Sequence, residues 1–315
     1  MPRVARLLAL ALLAVLAGCG GASPQRAGAP GAVDVVATTT VLGDLARAVG
    51  GRDADVHQLL QPNSDPHDYE PRPDDVVAVA RAQLVLTSGD GLDAWSGDVV
   101  EQAGGDPRVL DLGAGVPVAR AGRGGDRDPH WWHDARNAAA AVTAIRDALV
   151  RAHPSARAAY ERRAATELRR LRALDAAVAR CVERVPPARR VLVTDHDAFG
   201  YFAGRYGLRI VGTVIPSSTT QAQASAGDLA QLARTIERER VRTVFSERSV
   251  NAKLARAIAD ETGAQVDDSL YGDALGPAGS DGATYLAMEA HNADAIVRGI
   301  GGAGCPAALR AAGAG

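Results

Sequence analysis

The sequence predicts an α/β protein of two similar lobes, each a mostly parallel sheet flanked by helices, joined by one long helix, with a ligand cleft between the lobes. Three observations predict it. Short β-rich runs alternate with amphipathic helical stretches in two separate blocks. One uninterrupted helical stretch, Pro154 to about Val182, divides the blocks. The chain has 315 residues, which suits two domains at roughly 100–200 residues each.

The first block, 33–152, opens with the strand VDVVATT and the helix VLGDLARAVGG. The strand DVHQLL, the helix RPDDVVAVARA and the strand QLVLTSG follow. LDAWSGDVVEQAG reads as a helix and PRVLDLG as a fourth strand. VPVARAGRGGDRD at 116–128 is Gly/Arg-rich and reads as loop. A helix, NAAAAVTAIRDALVRA, leads to the connecting segment 153–184, where Pro154 suits a first helical turn. This helix is roughly 40 Å long at 1.5 Å per residue, and Pro186 and Pro187 stop it. The second block, 185–315, alternates again: strand VLVTDH, helix FGYFAGRYG, strand LRIVGTV, then the helix from Ser225, a suitable cap. Strand RTVFSE, helix NAKLARAIADETG, QVDDSLY as strand or loop, and a last helix within DGATYLAMEAHNADAIVRGI complete it.

Composition narrows the class. Apolar residues make up 47% and charged residues 23%, as in a globular body, and 35 basic against 37 acidic side chains leave no concentrated basic field for nucleic acid. Arg3 and Arg6 precede an apolar run, Leu7 to Ala17, too short to span a bilayer at about 20 residues. The run ends LAGCG, which resembles a bacterial lipobox. That resemblance implies a signal peptide at 1–18, lipidation of Cys19, and a flexible tether at 19–32. The alternative is an unlipidated signal peptide or a poor membrane anchor. Outside the cytosol, Cys181 and Cys305 have the option of one disulfide, which their spacing leaves open.

Seven histidines occur, and two share the context Asp-Pro-His: His67 in SDPHDYEP and His130 in DPHWWHD. Proline fixes the backbone before each histidine, and Asp65 and Asp128 are placed to cap or orient the loops. His196 ends the strand VLVTD, and Asp273 follows QVDDSLYG, with Asp267, Asp268 and Asp281 as rivals. Two of these side chains come from each lobe, and open parallel sheets bind ligands beyond the carboxyl ends of their strands. Three neutral imidazoles and a carboxylate suit a tetrahedral divalent ion. Taken singly, each histidine also has a plain loop or core reading.

Five motifs in order, NSDPHDYEPRPDDV, DPHWWHDARNA, VTDHDAFGYFAGRYGL, FSERSVNAKLARAIADETGA and YGDALGPAGSDGATYLAMEAHNADAIV, resemble the cluster A-I metal-binding solute-binding lipoproteins of ABC importers. The resemblance spans nearly the whole chain after the leader. It implies His67, His130, His196 and Asp273 as metal ligands, a rigid connecting helix, and a limited closing motion. It implies one Zn2+ as transported ligand, with Mn2+ as the alternative, since many manganese-type members carry glutamate where this chain has His196. The histidine-rich loop of many zinc-type members is absent. A metallochaperone is then implied as a supplier, beside the membrane subunits of the permease. The protein is expected to be a monomer outside the cytoplasm, touching the membrane through its N-terminal lipid.

Neighbouring residues have their own readings. Glu247 is placed to accept a hydrogen bond from a ligand histidine. His133 is a candidate to support a ligand residue or to bind the ion in passing, with the surface or a helix start as its plainer place. Trp131, with Trp95 and Trp132, is a candidate cleft wall or a packing residue. Glu70 and Arg72 are expected to pair. His57, His153 and His291 show no ligand logic. A zinc hydrolase is the competing class, but there is no HExxH, GxSxG or phosphate-binding loop, and four ligands close the position that catalytic zinc keeps for water. Adhesion, a second rival, needs an exposed partner-binding patch that the sequence does not reveal.

Overall fold

The computed structural model describes residues 31–122, 125–305 and 309; the signal-peptide and Cys19 expectations lie outside them. The first sheet holds β1 (Val33–Ala37), β2 (Ala54–Gln58), β3 (Leu84–Thr87) and β4 (Arg108–Asp111) in the order β2-β1-β3-β4. The second holds β5 (Val191–Thr194), β6 (Arg209–Thr213), β7 (Thr243–Glu247) and β8 (Gln265–Leu270) in the matching order β6-β5-β7-β8. Every neighbouring pair is parallel. The central strands β3, β5 and β7 are buried throughout, as strands covered on both faces must be.

Capping and burial explain the helices. In α1 (Thr40–Gly50) the Thr39 side chain accepts from the Leu42 amide, and Val41, Leu42, Leu45, Ala46 and Val49 are buried at helical spacing. The helix stops where Gly51 takes φ +55°, with the Arg163 side chain occupying the space a Cβ would need. Helix α2 (Pro73–Arg81) starts on proline. Helix α3 is Ser96–Ala103, shorter at its start than the sequence suggests. Gly89 and Gly91 have positive φ, and the Asp93 carboxylate accepts the Ser88 and Gly89 amides, so the preceding residues form a turn. The described residues of the 116–128 stretch, 116–122 and 125–128, carry no helix or strand beyond an antiparallel bridge between Ala121 and Arg127.

Helix α4 (Ala135–Ala152) leads through a 3₁₀ turn, Pro154–Ala156, into α5 (Arg157–Glu183). Tyr160, Ala164, Leu171, Leu174, Val178 and Val182 form the buried stripe of α5. The helix packs on α1 and α4 of the first lobe and on α6 (Gly200–Tyr206) and α9 (Tyr285–Gly299) of the second. Arg163 donates to the carbonyls of Val49 and Gly50 at 2.7 and 2.6 Å, and Arg205 pairs with Asp175. Helix α7 (Ala226–Glu239) is capped by Ser225 and Asp228 reciprocally, and α8 is Lys253–Thr262. Cys181 and Cys305 are joined by a disulfide across a Cα–Cα distance of 5.7 Å, fastening the end of α5 to the segment after α9.

The main apolar core does not stop at the lobe boundary. One cluster runs from Leu42 and Leu45 through Trp131, Trp132 and the α5 stripe to Phe199, Phe202, Tyr285 and Ile296. Smaller clusters cover the outer faces: Val36, Leu59, Val79, Val85 and Val99 on the first sheet, Val193, Leu232, Ile236 and Ile258 on the second. No described helix is long and apolar enough to cross a membrane.

Candidate metal centre

Both Asp-Pro-His segments fold as tight turns. Asp65 Oδ1 accepts the His67 amide at 2.8 Å, and a 3₁₀ turn covers Pro66–Asp68. Trp95 fixes the turn from below by donating to the Pro66 carbonyl at 3.2 Å, and Tyr69 packs on that indole. Asp128 Oδ1 accepts the His130 amide at 3.0 Å and lies 2.8 Å from His130 Nδ1. A proton on Nδ1 is thereby held by a carboxylate, which leaves Nε2 as the free donor atom.

The second lobe presents its side chains from strand ends. His196 stands two residues after the end of β5, with Asp195 between. Asp195 Oδ1 accepts the His196 amide at 2.7 Å and lies 3.3 Å from Nδ1, while Glu247 Oε1 at the end of β7 stands 3.0 Å from the same nitrogen. Asp195 is held in turn by Ser246 Oγ and the Glu247 amide. Asp273 comes from the loop after β8; its amide donates to Glu247 Oε2 at 3.2 Å. Gly272 must be glycine here, because a Cβ would stand 2.1 Å from the Glu247 carboxyl.

The four sequence-predicted donors meet. His67 Nε2 and His196 Nε2 stand 3.4 and 3.3 Å from Asp273 Oδ2, and His130 Nε2 stands 3.2 Å from Asp273 Oδ1. One donor atom from each of the four lies within 4.8 Å of the others. Among the described residues, all three Nε2 atoms and both Asp273 oxygens are buried without a hydrogen-bond partner. Donors about 2.0–2.1 Å from a tetrahedral zinc ion stand roughly 3.3–3.4 Å apart. Buried polar atoms normally find partners, so five such atoms around one point, at that spacing, are suited to a cation. Side-chain exposure is 6% for His67 and 0% for the other three, which makes His67 the outermost.

Electrostatics agrees. Burial pushes the His130 imidazole down, but the Asp273 and Asp128 carboxylates outweigh it and raise it to about 9. His196 also ends well above its ordinary value, with Glu247 and Asp273 overcoming burial. Burial pushes Asp273 up, yet His196 and His130 hold it well below the usual carboxylate range. Glu247 is raised, by burial first and by Asp195 second. Acidic side chains thus surround His130 and His196 in a buried site, a field that favours positive charge, with Glu247 itself pushed toward its neutral form.

The neighbours sort differently from expectation. Glu247 lies against His196, as its strand-end position suggested. His133 is at a helix start, in the 3₁₀ turn Trp131–His133, but it is not on the surface: it is fully buried, its Nδ1 is 2.6 Å from Glu289 Oε1, and it stacks on Phe199. Trp131 is fully buried and gives its Nε1–H to the Ser88 carbonyl at 2.9 Å. Trp132 takes the place against the site, its ring 5.5 Å from that of His130 and its Nε1–H on the Gly272 carbonyl. Arg72 pairs with Asp75 across one helical turn rather than with Glu70. Of Asp273's rivals, Asp281 pairs with His291, Asp268 with Arg256, and Asp267 accepts from Ser269. Sequence reasoning missed Asp195. Its position beside His196 in TDHD is the available signal, since an aspartate just before a histidine can turn back onto that residue's amide.

The family model described as ZnuA, zinc-uptake complex component A, periplasmic, matches residues 35–299. The zinc-binding protein TroA of Treponema pallidum is 32% identical over 278 residues, covering 86% of this chain and 90% of TroA. The iron-binding protein YfeA of Yersinia pestis is 32% identical, covering 85% and 86%. The manganese-binding lipoprotein MntA of Halalkalibacterium halodurans is 28% identical, covering 93% and 96%. The solved TroA structure superposes with a TM-score of 0.81 at 31% identity, covering 86% of this chain and 99% of that one. With the whole α/β body matched and the donor cluster at the lobe junction, the chain belongs to the ZnuA family of metal-binding solute-binding proteins of ABC importers, and is not an enzyme.

Proposed function

We propose that the protein captures one divalent metal ion, zinc, outside the cytoplasm and delivers it to the membrane subunits of an ABC permease. The observation that carries this reading is the convergence of His67, His130 and His196 Nε2 on the Asp273 carboxylate, all without other partners among the described residues. In this reading those four are the ligands, two from each lobe. Asp128 holds the His130 ring, Asp195 and Glu247 hold the His196 ring, and both leave Nε2 free. The family is periplasmic by description, which places the chain outside the cytoplasm. Lipidation of Cys19 after removal of residues 1–18, a tether at 19–32, lobes at 33–152 and 185–315 about a connecting helix at 153–184, and a monomeric state complete the proposal. A metallochaperone is a reasonable source of the ion, because the sequence has no histidine-rich loop to gather it.

A second reading, manganese, has one observation behind it. Both Asp273 oxygens face imidazole nitrogens, so five donor atoms are available, and manganese accepts more donors than zinc. Metal content after purification at limiting metal, followed by zinc–manganese competition, decides between them. One ion per chain is expected, with zinc displacing manganese. His196→Ala is expected to lose stoichiometric binding. Tight one-to-one binding in that variant would remove His196 from the ligand set.

A further inference from the structure

The two Asp-Pro-His turns use their aspartates differently. Asp65 Oδ1 holds the His67 amide inside the first lobe, while its other oxygen, Oδ2, accepts a hydrogen bond from Thr220 Oγ1 of the second lobe at 2.5 Å. Thr220 sits in the segment between β6 and α7. The base of that segment is fixed on both sides of His196: the Ile215 amide donates to the Asp195 carbonyl at 2.6 Å, and the Asp197 amide donates to the Ser217 carbonyl at 2.9 Å. A continuous run of bonds therefore links the backbone of His67 to the backbone around His196, across the lobes. The same loop is also held further back, where the Asn63 amide, with Asn63 at φ +58°, donates to the Leu275 carbonyl at 2.9 Å. His67 follows these two cross-lobe bonds, two residues beyond Asp65. It is the most exposed of the four donors, and a surface groove lined by Asp65, Asp68, Thr220, Gln221 and Ser249 opens beside it.

We propose that the Thr220 hydroxyl is a cross-lobe latch that holds the His67 turn closed over the ion and sets the rate at which the ion leaves. The proposal rests on the metal-capture reading. Thr220 touches no donor atom, so it is a positioning residue. Removing its hydroxyl leaves every donor in place but frees the outermost one to swing outward. A hydrogen bond to a charged carboxylate also stabilises more than a neutral one.

The test uses the full-length protein loaded with one zinc ion and mixed rapidly with excess chelator. Thr220→Val keeps the side-chain shape and removes the donor; Thr220→Ser keeps the donor. The expected result is zinc dissociation about tenfold faster in T220V, with T220S within about twofold of the unchanged protein. Stoichiometry should stay at one ion per chain. The latch is overturned if T220V releases zinc at the unchanged rate, or if T220S is as fast as T220V. Failure of the unchanged protein to bind zinc one to one would bring down the capture reading itself, and the latch with it.

Discussion

His67 and His130 occupy the same tripeptide context in the same lobe, yet the fold treats them differently. The His130 turn is sealed: its ring is fully buried, set by Asp128 through Nδ1, and covered by Trp132. The His67 turn is held by its backbone, is partly exposed, and sends its aspartate across to the other lobe. The same local context thus yields one donor sealed within its own lobe and one whose turn is tied across to the other. What separates them is the partner of the second carboxylate contact: a ring nitrogen in one case, a distant hydroxyl in the other.

The strongest way to break this comparison is to exchange the orienting acids. Asp128→Asn should weaken metal binding by about 10–100-fold, the usual loss when a ligand histidine loses its carboxylate partner. Asp65→Asn should cost only a few-fold, since an amide oxygen still accepts from the His67 backbone. Equal losses, measured by competition with a chelator of known affinity, would erase the distinction.

Titration sharpens it further. With His130 raised to about 9, its ring carries a proton in the metal-free site at neutral pH. An incoming ion must displace that proton, so apparent affinity should fall as pH drops below about 9, and binding at pH 7.5 should release protons. Calorimetry in buffers of different ionisation heat measures the release. In Asp128→Asn one raising interaction is gone, so the onset should move to lower pH. An affinity flat from pH 9 to 6 would exclude imidazole ligation.

The smallest effect at the site is expected from the disulfide. Replacing Cys181 and Cys305 with serine should lower the thermal midpoint, with a stability loss of about 2–5 kcal/mol, and leave zinc stoichiometry unchanged. A loss of binding would mean that the clamp after α9 positions Asp273.

Much of this was legible in the sequence because it rests on local signals. Strand–helix alternation, prolines flanking α5 and the Ser225 cap are written in neighbouring residues. The Asp-Pro-His repeat is too, since the aspartate that shapes each turn lies two positions from its histidine. The illegible parts depend on partners far along the chain. Burial of His133 needs Glu289 and Phe199, and the choice of Trp132 over Trp131 is made by the carbonyls of Gly272 and Ser88. Thr220 lies in a polar run with no periodicity, and its role exists only once the lobes meet. Arg72 chose Asp75 over Glu70 because a helix begins at Pro73 and brings the third residue on beside it.

The apolar interior shared by both halves has a mechanical consequence. Separating the lobes widely would wet Trp132, Phe199 and Tyr285 at once, at about 1.5–3 kcal/mol for each large side chain. A wide clamshell swing is therefore an uphill path, whereas displacing a turn of a few residues at the rim strips almost no oil-like surface. In the latch proposal the frame stays stiff, and cargo exchange falls to its edge.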